Sequence, residues 1–154
     1  MIEVRVVEAP INREALFEFV EDNGHGAQCS FFGTVRDFNL GQEVSGVSYD
    51  LYEPMVKSSF SEIAEEAKAK YCTEAKIAIV HRYGRLGIRE ASVGIVVSTP
   101  HRDESFQICR YVIEELKVRA PIWKKEHYLT GDSEWLKGHE LCQKSHGAHG
   151  HSAH

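Results

Sequence analysis

Apolar residues recur along this chain with two different periods, and the switches between them mark out strand-like and helix-like stretches. Ile2, Val4 and Val6 alternate with polar neighbours as in a half-buried strand. Leu16, Phe17 and Val20 follow at helical spacing behind Asn12, a residue suited to capping a short helix, and Gly24 and Gly26 end that stretch. A second strand is expected over roughly Ala27 to Val35. It leads into RDFNLGQE, where Asn39 and Gly41 predict a turn or mobile loop from Asp37 to Val44. A third strand then places Val47, Tyr49 and Leu51 on one face.

The clearest helix starts at Pro54, which is tolerated in a first turn, and carries Val56, Phe60, Ile63, Ala64, Ala67 and Tyr71 on one stripe. Strands over about Ala75 to Val80 and Ser92 to Thr99 come next, joined by the turn-like YGRLG. A second strong helix, with Asp103 as its candidate N-cap, directs Phe106, Cys109, Ile113 and Leu116 inward until Ala120-Pro121 stops it. Ile122 to Leu129 reads as a last strand, and Gly131-Asp132 as a turn. Strands and helices do not alternate strictly, so the expected class is α+β, a mixed and mostly antiparallel sheet packed by two main helices. Residues 1–140 form the expected single domain. Residues 141–154, ending in HGAHGHSAH, are a His-rich tail expected to be disordered and given no catalytic role.

At 154 residues, 42% hydrophobic and 27% charged, the chain has the composition of one globular domain with a core of its own. Cys29, Cys72, Cys109 and Cys142 form no CxxC pair, which argues against a zinc knuckle or a disulfide scaffold and suits a reducing cytoplasm. MIEVRVVEAP holds Glu3 and Arg5 within its only apolar stretch, so it reads as neither a signal peptide nor a membrane span. A net charge of -5 argues against nonspecific nucleic-acid binding. No GxGxxG follows a strand and no Walker sequence is present, so neither a dinucleotide nor ATP is implied. No metal or resident cofactor is expected.

The charge is nonetheless uneven. Arg110, Lys117, Arg119, Lys124 and Lys125 crowd one segment, with His101 and Arg102 just upstream where a strand gives way to a helix N-terminus. Free backbone N–H groups there favour an anion; the alternative is that His101 caps the helix and Arg102 is a solvated charge. Lys117 borders the apolar stripe at the helix end, and Lys124 shares a strand face with Ile122, so the two lysines flanking Ala120-Pro121 can converge. A lysine among other cations at an apolar margin is a candidate nucleophile or proton shuttle; the alternative is a lysine that complements the helix dipole and snorkels. Arg36 opens the loop after FFGTV, and Gly33 either admits a ligand close to the backbone or marks a bulge. Trp123, Phe31 and Phe32 are candidates to sandwich a flat ring, with core packing as the alternative. Cys109 reads as a small hydrophobe.

FFGTVRDFNLGQEV, YDLYEPM, VHRYGRLGI, TPHRDESF and LKVRAPIWKKE, in this order, closely resemble the signature blocks of the molybdopterin synthase large-subunit family, the MoaE-like family. Together they extend from about Gly26 to Trp135. The resemblance implies an α+β fold described as an α/β hammerhead, and a homodimer carrying a small ubiquitin-like sulfur-carrier subunit at each end, a heterotetramer. It also implies the reaction. Sulfur carried as a thiocarboxylate on the partner's Gly-Gly C-terminus converts cyclic pyranopterin monophosphate into the dithiolene of molybdopterin, in the cytoplasm and without a membrane or nucleic-acid partner. By position, the resemblance assigns catalysis to Lys117 and Lys124, and an anion and pterin site to Arg36, His101, Arg102 and Lys125, with Thr34, Val35 and Glu126 beside them.

Overall fold

A computed structural model describes residues 1–137, and the His-rich tail lies outside them. Their elements run β1 (Ile2–Val7), α1 (Arg13–Val20), β2 (Ala27–Thr34), β3 (Phe38–Asn39), β4 (Gln42–Leu51), α2 (Glu53–Tyr71), β5 (Lys76–Arg82), β6 (Gly84–Leu86), β7 (Ala91–Thr99), α3 (Arg102–Arg119), β8 (Ile122–Tyr128), β9 (Gly131–Asp132) and β10 (Leu136–Lys137). The α+β expectation is met, but the strands divide between two sheets rather than one. In the first sheet the order is β1-β5-β7-β2, with β1 parallel to β5 and the other pairs antiparallel. The second runs β10-β8-β4-β3, and β6 and β9 attach to β4 and β8. No described helix is long and apolar enough to cross a membrane.

The first sheet is covered on both faces. Ile77, Ile79, Val93, Ile95 and Val97 meet the stripe of α2 (Val56, Phe60, Ile63, Ala64 and Ala67) and Ile108, Val112 and Leu116 of α3 in the main core. On the opposite face, Ala78, Val80 and Val96 meet Leu16 and Val20 of α1. Burial on both sides is why β7 carries no polar alternation and is buried along its whole length. The N-cap of α1 is Asn12, whose Oδ1 accepts from the Ala15 N–H at 3.2 Å. The cap of α3 is His101 rather than Asp103, and no side chain closes it. Phe106 is not an inward residue of α3. It is 59% exposed, and Ile108 and Val112 take the buried positions.

Two stretches expected as connections are paired strands. YGRLG contains β6, in which Leu86 pairs with Val47 of β4 and is fully buried. The Asp37–Val44 stretch folds into a hairpin: Phe38 and Asn39 pair with Glu43 and Gln42 around Leu40 and Gly41, at φ +53° and +74°. Positive φ at both central residues is the signature of the tight turn that matches strand twist, and Gly41 meets that demand without strain. Gly33 marks the other backbone irregularity. The pairing of β2 with β7 shifts register between Gly33 and Thr34, and a Cβ at Gly33 would lie 2.8 Å from Val93 Cγ1. It is a bulge and packing glycine.

Candidate active site

The two sheets meet at the C-terminal end of α3, and the seam between them holds the most chemically distinctive feature of the molecule. The helix closes with the Ala120 N–H on the Leu116 carbonyl at 3.0 Å, and Ile122 N–H then bonds the Ala120 carbonyl at 2.9 Å, a tight reversal around Pro121. The chain re-enters at once as β8. Lys124 therefore lies opposite Tyr49 of β4, on the face of β8 that also buries Ile122 and Glu126.

Lys117 and Lys124 open into one slot. Its other walls are Tyr49, His81, Ser92, Val93, Ile113, Leu116, Ala120 and Ile122, and it encloses about 440 Å³ with its mouth included. Lys124 is 8% exposed, an unusual burial for a lysine residue. The structure also brings in His81, which residue-by-residue reasoning missed although it sat inside the resemblance block VHRYGRLGI. His81 stands on β5, 5% exposed, with Tyr49 edge-on to its ring at a centroid distance of 5.0 Å. Its pKa is lowered to about 4, chiefly because burial disfavours the imidazolium, with Lys117 and Lys124 adding repulsion against the raising effect of its bond to the Arg82 carbonyl. The available signal was a polar residue ending the apolar run Ile77 to Val80.

The remaining cations of the basic segment are engaged elsewhere. Arg119 donates to Glu66 at 2.6 and 2.9 Å and to Glu115 at 3.1 Å. Arg110 pairs along the helix surface with Glu114, and Lys125, on the opposite face of β8 from Lys124, stands 5.0 Å over the Trp135 ring. Crowding of these cations in the sequence therefore does not make Arg110, Arg119 and Lys125 part of the slot around Lys117. Local helix and strand geometry turns each toward a nearer partner.

His101 and Arg102 sit at the other end of α3. At 1.5 Å per residue, the run from Arg102 to Lys117 covers about 22 Å, so within one chain they and the lysine slot are separate. His101 borders a second, larger opening of about 790 Å³ with Lys68, Lys70, Glu74 and Glu104, between the end of α2 and the start of α3. Thr34 and Arg36 are exposed on either side of Val35, which is 6% exposed and packs with Val44, Val47 and Leu86. Val35 also takes Glu90 as backbone acceptor and Arg89 as backbone donor, at 3.0 and 2.8 Å. Glu126 is committed as well: one carboxylate oxygen accepts from Asn39 Nδ2 and from the Tyr128 hydroxyl, each at 2.7 Å, tying the hairpin to β8. Phe31 packs toward the α2–α3 core and Phe32 toward α1, so these two rings do not face each other across one ligand. Cys109 is buried, which pushes its thiol up, with Cys29 adding to the shift. An inert thiol is what that environment makes.

Comparison with known proteins identifies the family and the fold. The model of the family described as MoaE protein matches residues 6–119. The molybdopterin synthase catalytic subunit of Synechococcus elongatus is 46% identical over 136 residues, covering 88% of this chain and 82% of that protein. The crystal structure of molybdopterin synthase from Staphylococcus aureus superposes with a TM-score of 0.81 at 35% identity, over 85% of this chain and 94% of that one. A chain from the Helicobacter pylori complex of subunits 1 and 2 of molybdopterin-converting factor shares the fold, with a TM-score of 0.70 at 24% identity over 88% and 89% of the two chains. The chain belongs to the MoaE family, the family of the molybdopterin synthase catalytic subunits.

Proposed function

We propose that this chain is the catalytic subunit of a cytoplasmic molybdopterin synthase, a sulfurtransferase that uses the thiocarboxylated C-terminal glycine of a small ubiquitin-like subunit to build the dithiolene on cyclic pyranopterin monophosphate. The observation that carries the reading is the slot: two lysines from different elements converge on one narrow cavity whose other walls are largely apolar. An extended Gly-Gly tail has no side chains to obstruct such a slot, and its sulfur-bearing end is anionic. Lys117, held on the last turn of α3, meets the thiocarboxylate and stabilises the negative charge that develops on it, and Lys124 assists proton transfer. Water exclusion by Ile113, Leu116 and Ile122 strengthens both effects.

The substrate phosphate is the charge of Arg36, His101 and Arg102 in this reading, with Lys125, Thr34 and Val35 as neighbouring contacts. The separation along α3 exceeds the span of one pterin. A second copy of the chain must then bring its α3 N-terminus to the slot, which fits a homodimer with one small subunit at each end. The H. pylori protein is described in complex with a second subunit, and we extend that pairing to this chain.

The test is reconstitution. The chain is mixed with a thiocarboxylated small subunit and cyclic pyranopterin monophosphate, and the dithiolene product is measured. Product is expected in proportion to the thiocarboxylate consumed. Tight docking of the tail with no sulfur transferred would make the chain a binding module and end the catalytic reading. Arg102→Ala is expected to weaken pterin binding while leaving subunit docking intact, since a charged hydrogen bond is worth about 1.5–3 kcal/mol. Equal loss of both affinities would reject that division.

A further inference from the structure

His81 is fixed on two sides and open on a third. Its Nδ1 lies 2.8 Å from the Arg82 carbonyl oxygen, and a carbonyl only accepts, so Nδ1 carries the proton. A neutral imidazole has one N–H. Nε2 is therefore a bare acceptor, and it belongs to a ring that lines the slot together with Lys117 and Lys124. Tyr49 packs edge-on at 73° between ring planes, which prevents the imidazole from turning away. The titratable groups around the slot are Tyr49 from β4, Lys117 from α3 and Lys124 from β8; β7 contributes Ser92 and Val93, which carry no charge, and the Arg82 guanidinium on β5 is turned to Glu90.

We propose that His81 is a positioning residue for the lysine pair, its Nε2 accepting a hydrogen bond from a lysine ammonium and aiming that group into the slot. The proposal rests on the sulfur-transfer reading above and adds a residue to it. The choice of an imidazole has a physical reason. A carboxylate in this place would orient the ammonium but cancel its charge and hold its proton tightly. A water would orient it equally well and leave when the partner's tail enters. A buried imidazole held neutral orients the ammonium, stays in place, and itself cancels none of the ammonium's charge.

Three measurements test this, and the first is independent of turnover. In protein labelled with ¹⁵N-histidine, His81 is expected to show a protonated Nδ1 and an unprotonated Nε2 from pH 5.5 to 8; the opposite tautomer, or an imidazolium in that range, overturns the proposal. In the reconstituted synthase, His81→Phe keeps an aromatic ring against Tyr49 but removes the acceptor. Its turnover is expected to fall about 10- to 100-fold, and the lysine-governed limb of the pH–rate profile is expected to move about one unit lower, because the ammonium form has lost an acceptor. The direction is the same whether the chemistry uses the charged or the neutral amine. His81→Gln, which places an amide oxygen near the former Nε2, is expected to recover most of the rate and return the limb. A fall in rate with an unmoved limb, or a Gln variant no better than Phe, reduces His81 to packing and overturns the proposal. Wild-type synthase that makes no product would sink the sulfur-transfer reading itself, while the ¹⁵N result would still report on the imidazole.

Discussion

Lys117 and Arg119 are two residues apart on the last turn of α3, and their surroundings are opposite. Arg119 faces the α2–α3 seam, where Glu66, Glu115 and, through Glu66, Tyr111 surround it with oxygen acceptors and donors. Lys117 faces a slot whose lining is mostly aliphatic, with an imidazole, a phenol and a second lysine. Helix geometry separates them, since two residues turn the side chain through well over a right angle. One cation is consumed in holding two helices together. The other lines the slot to which sulfur transfer is assigned in the proposed function, and on that proposal changes to the first alter stability while changes to the second alter rate.

The largest expected effect lies in the slot. Lys117→Arg preserves charge but replaces a compact, proton-exchanging ammonium by a planar group that does not release its proton. Product formation is expected to fall by roughly 10²–10⁴-fold, as for a lost acid–base group, with the melting temperature and small-subunit affinity nearly unchanged. Lys124→Ala should behave alike. Near-normal turnover in Lys117→Arg would make that lysine an electrostatic contact and erase the contrast with Arg119.

How far the sequence foretells this differs between the two ends of α3. Periodicity found both long helices and the strands that flank them, because α2 and the first sheet bury clean stripes. It failed where a residue's burial is decided by a distant element. YGRLG looks like a turn until β4 supplies a partner for Leu86, and RDFNLGQE looks like a loop until Glu126, 87 positions from Asn39, anchors its hairpin. The convergence of Lys117 and Lys124 was legible from the Ala120-Pro121 reversal together with the alternation of β8. The assignment of His101 and Arg102 to the same site came from motif resemblance, and helix length keeps them apart within one chain. His81 was missed because nothing local shows that β5 ends against β4 and α3.

A smaller effect is expected in acid, and it comes from the slot's own cost. His81 has a folded pKa of about 4, below the ordinary value of 6.5. The unfolded chain therefore takes up a proton at this position before the folded one does. Stability from this group is complete above pH 6.5 and is lost as the pH falls toward 4, by about 3 kcal/mol over the window. Urea unfolding at pH 7.5 and 4.5 measures it. The loss should shrink in His81→Phe, and an unchanged loss would place the acid sensitivity elsewhere in the fold.

The seam on the other side of α3 should respond in a different pH range and by less. Glu66 is held at about pKa 2, first by its bonds from Arg119 and then by that from Tyr111, against an ordinary value of 4.5. A depressed carboxylate contributes stability that is present above 4.5 and lost as the pH falls through 2, so this loss begins where the His81 loss is ending. The side chains of Arg119 and Glu66 are 30% and 39% exposed, and solvent screening keeps the contribution of such a pair modest. Arg119→Ala is accordingly expected to lower the melting temperature slightly, to bring the Glu66 titration back toward the ordinary carboxylate range, and to leave turnover per folded molecule unchanged. Added salt should narrow the difference from wild type, because screening weakens the pair it removes. Lys117→Arg should show the mirror image: rate lost, melting temperature kept, no response to salt. If Arg119→Ala instead slowed sulfur transfer at constant stability, the guanidinium would be acting on the slot through the helix end, and the two faces of α3 would have to be treated as one electrostatic unit.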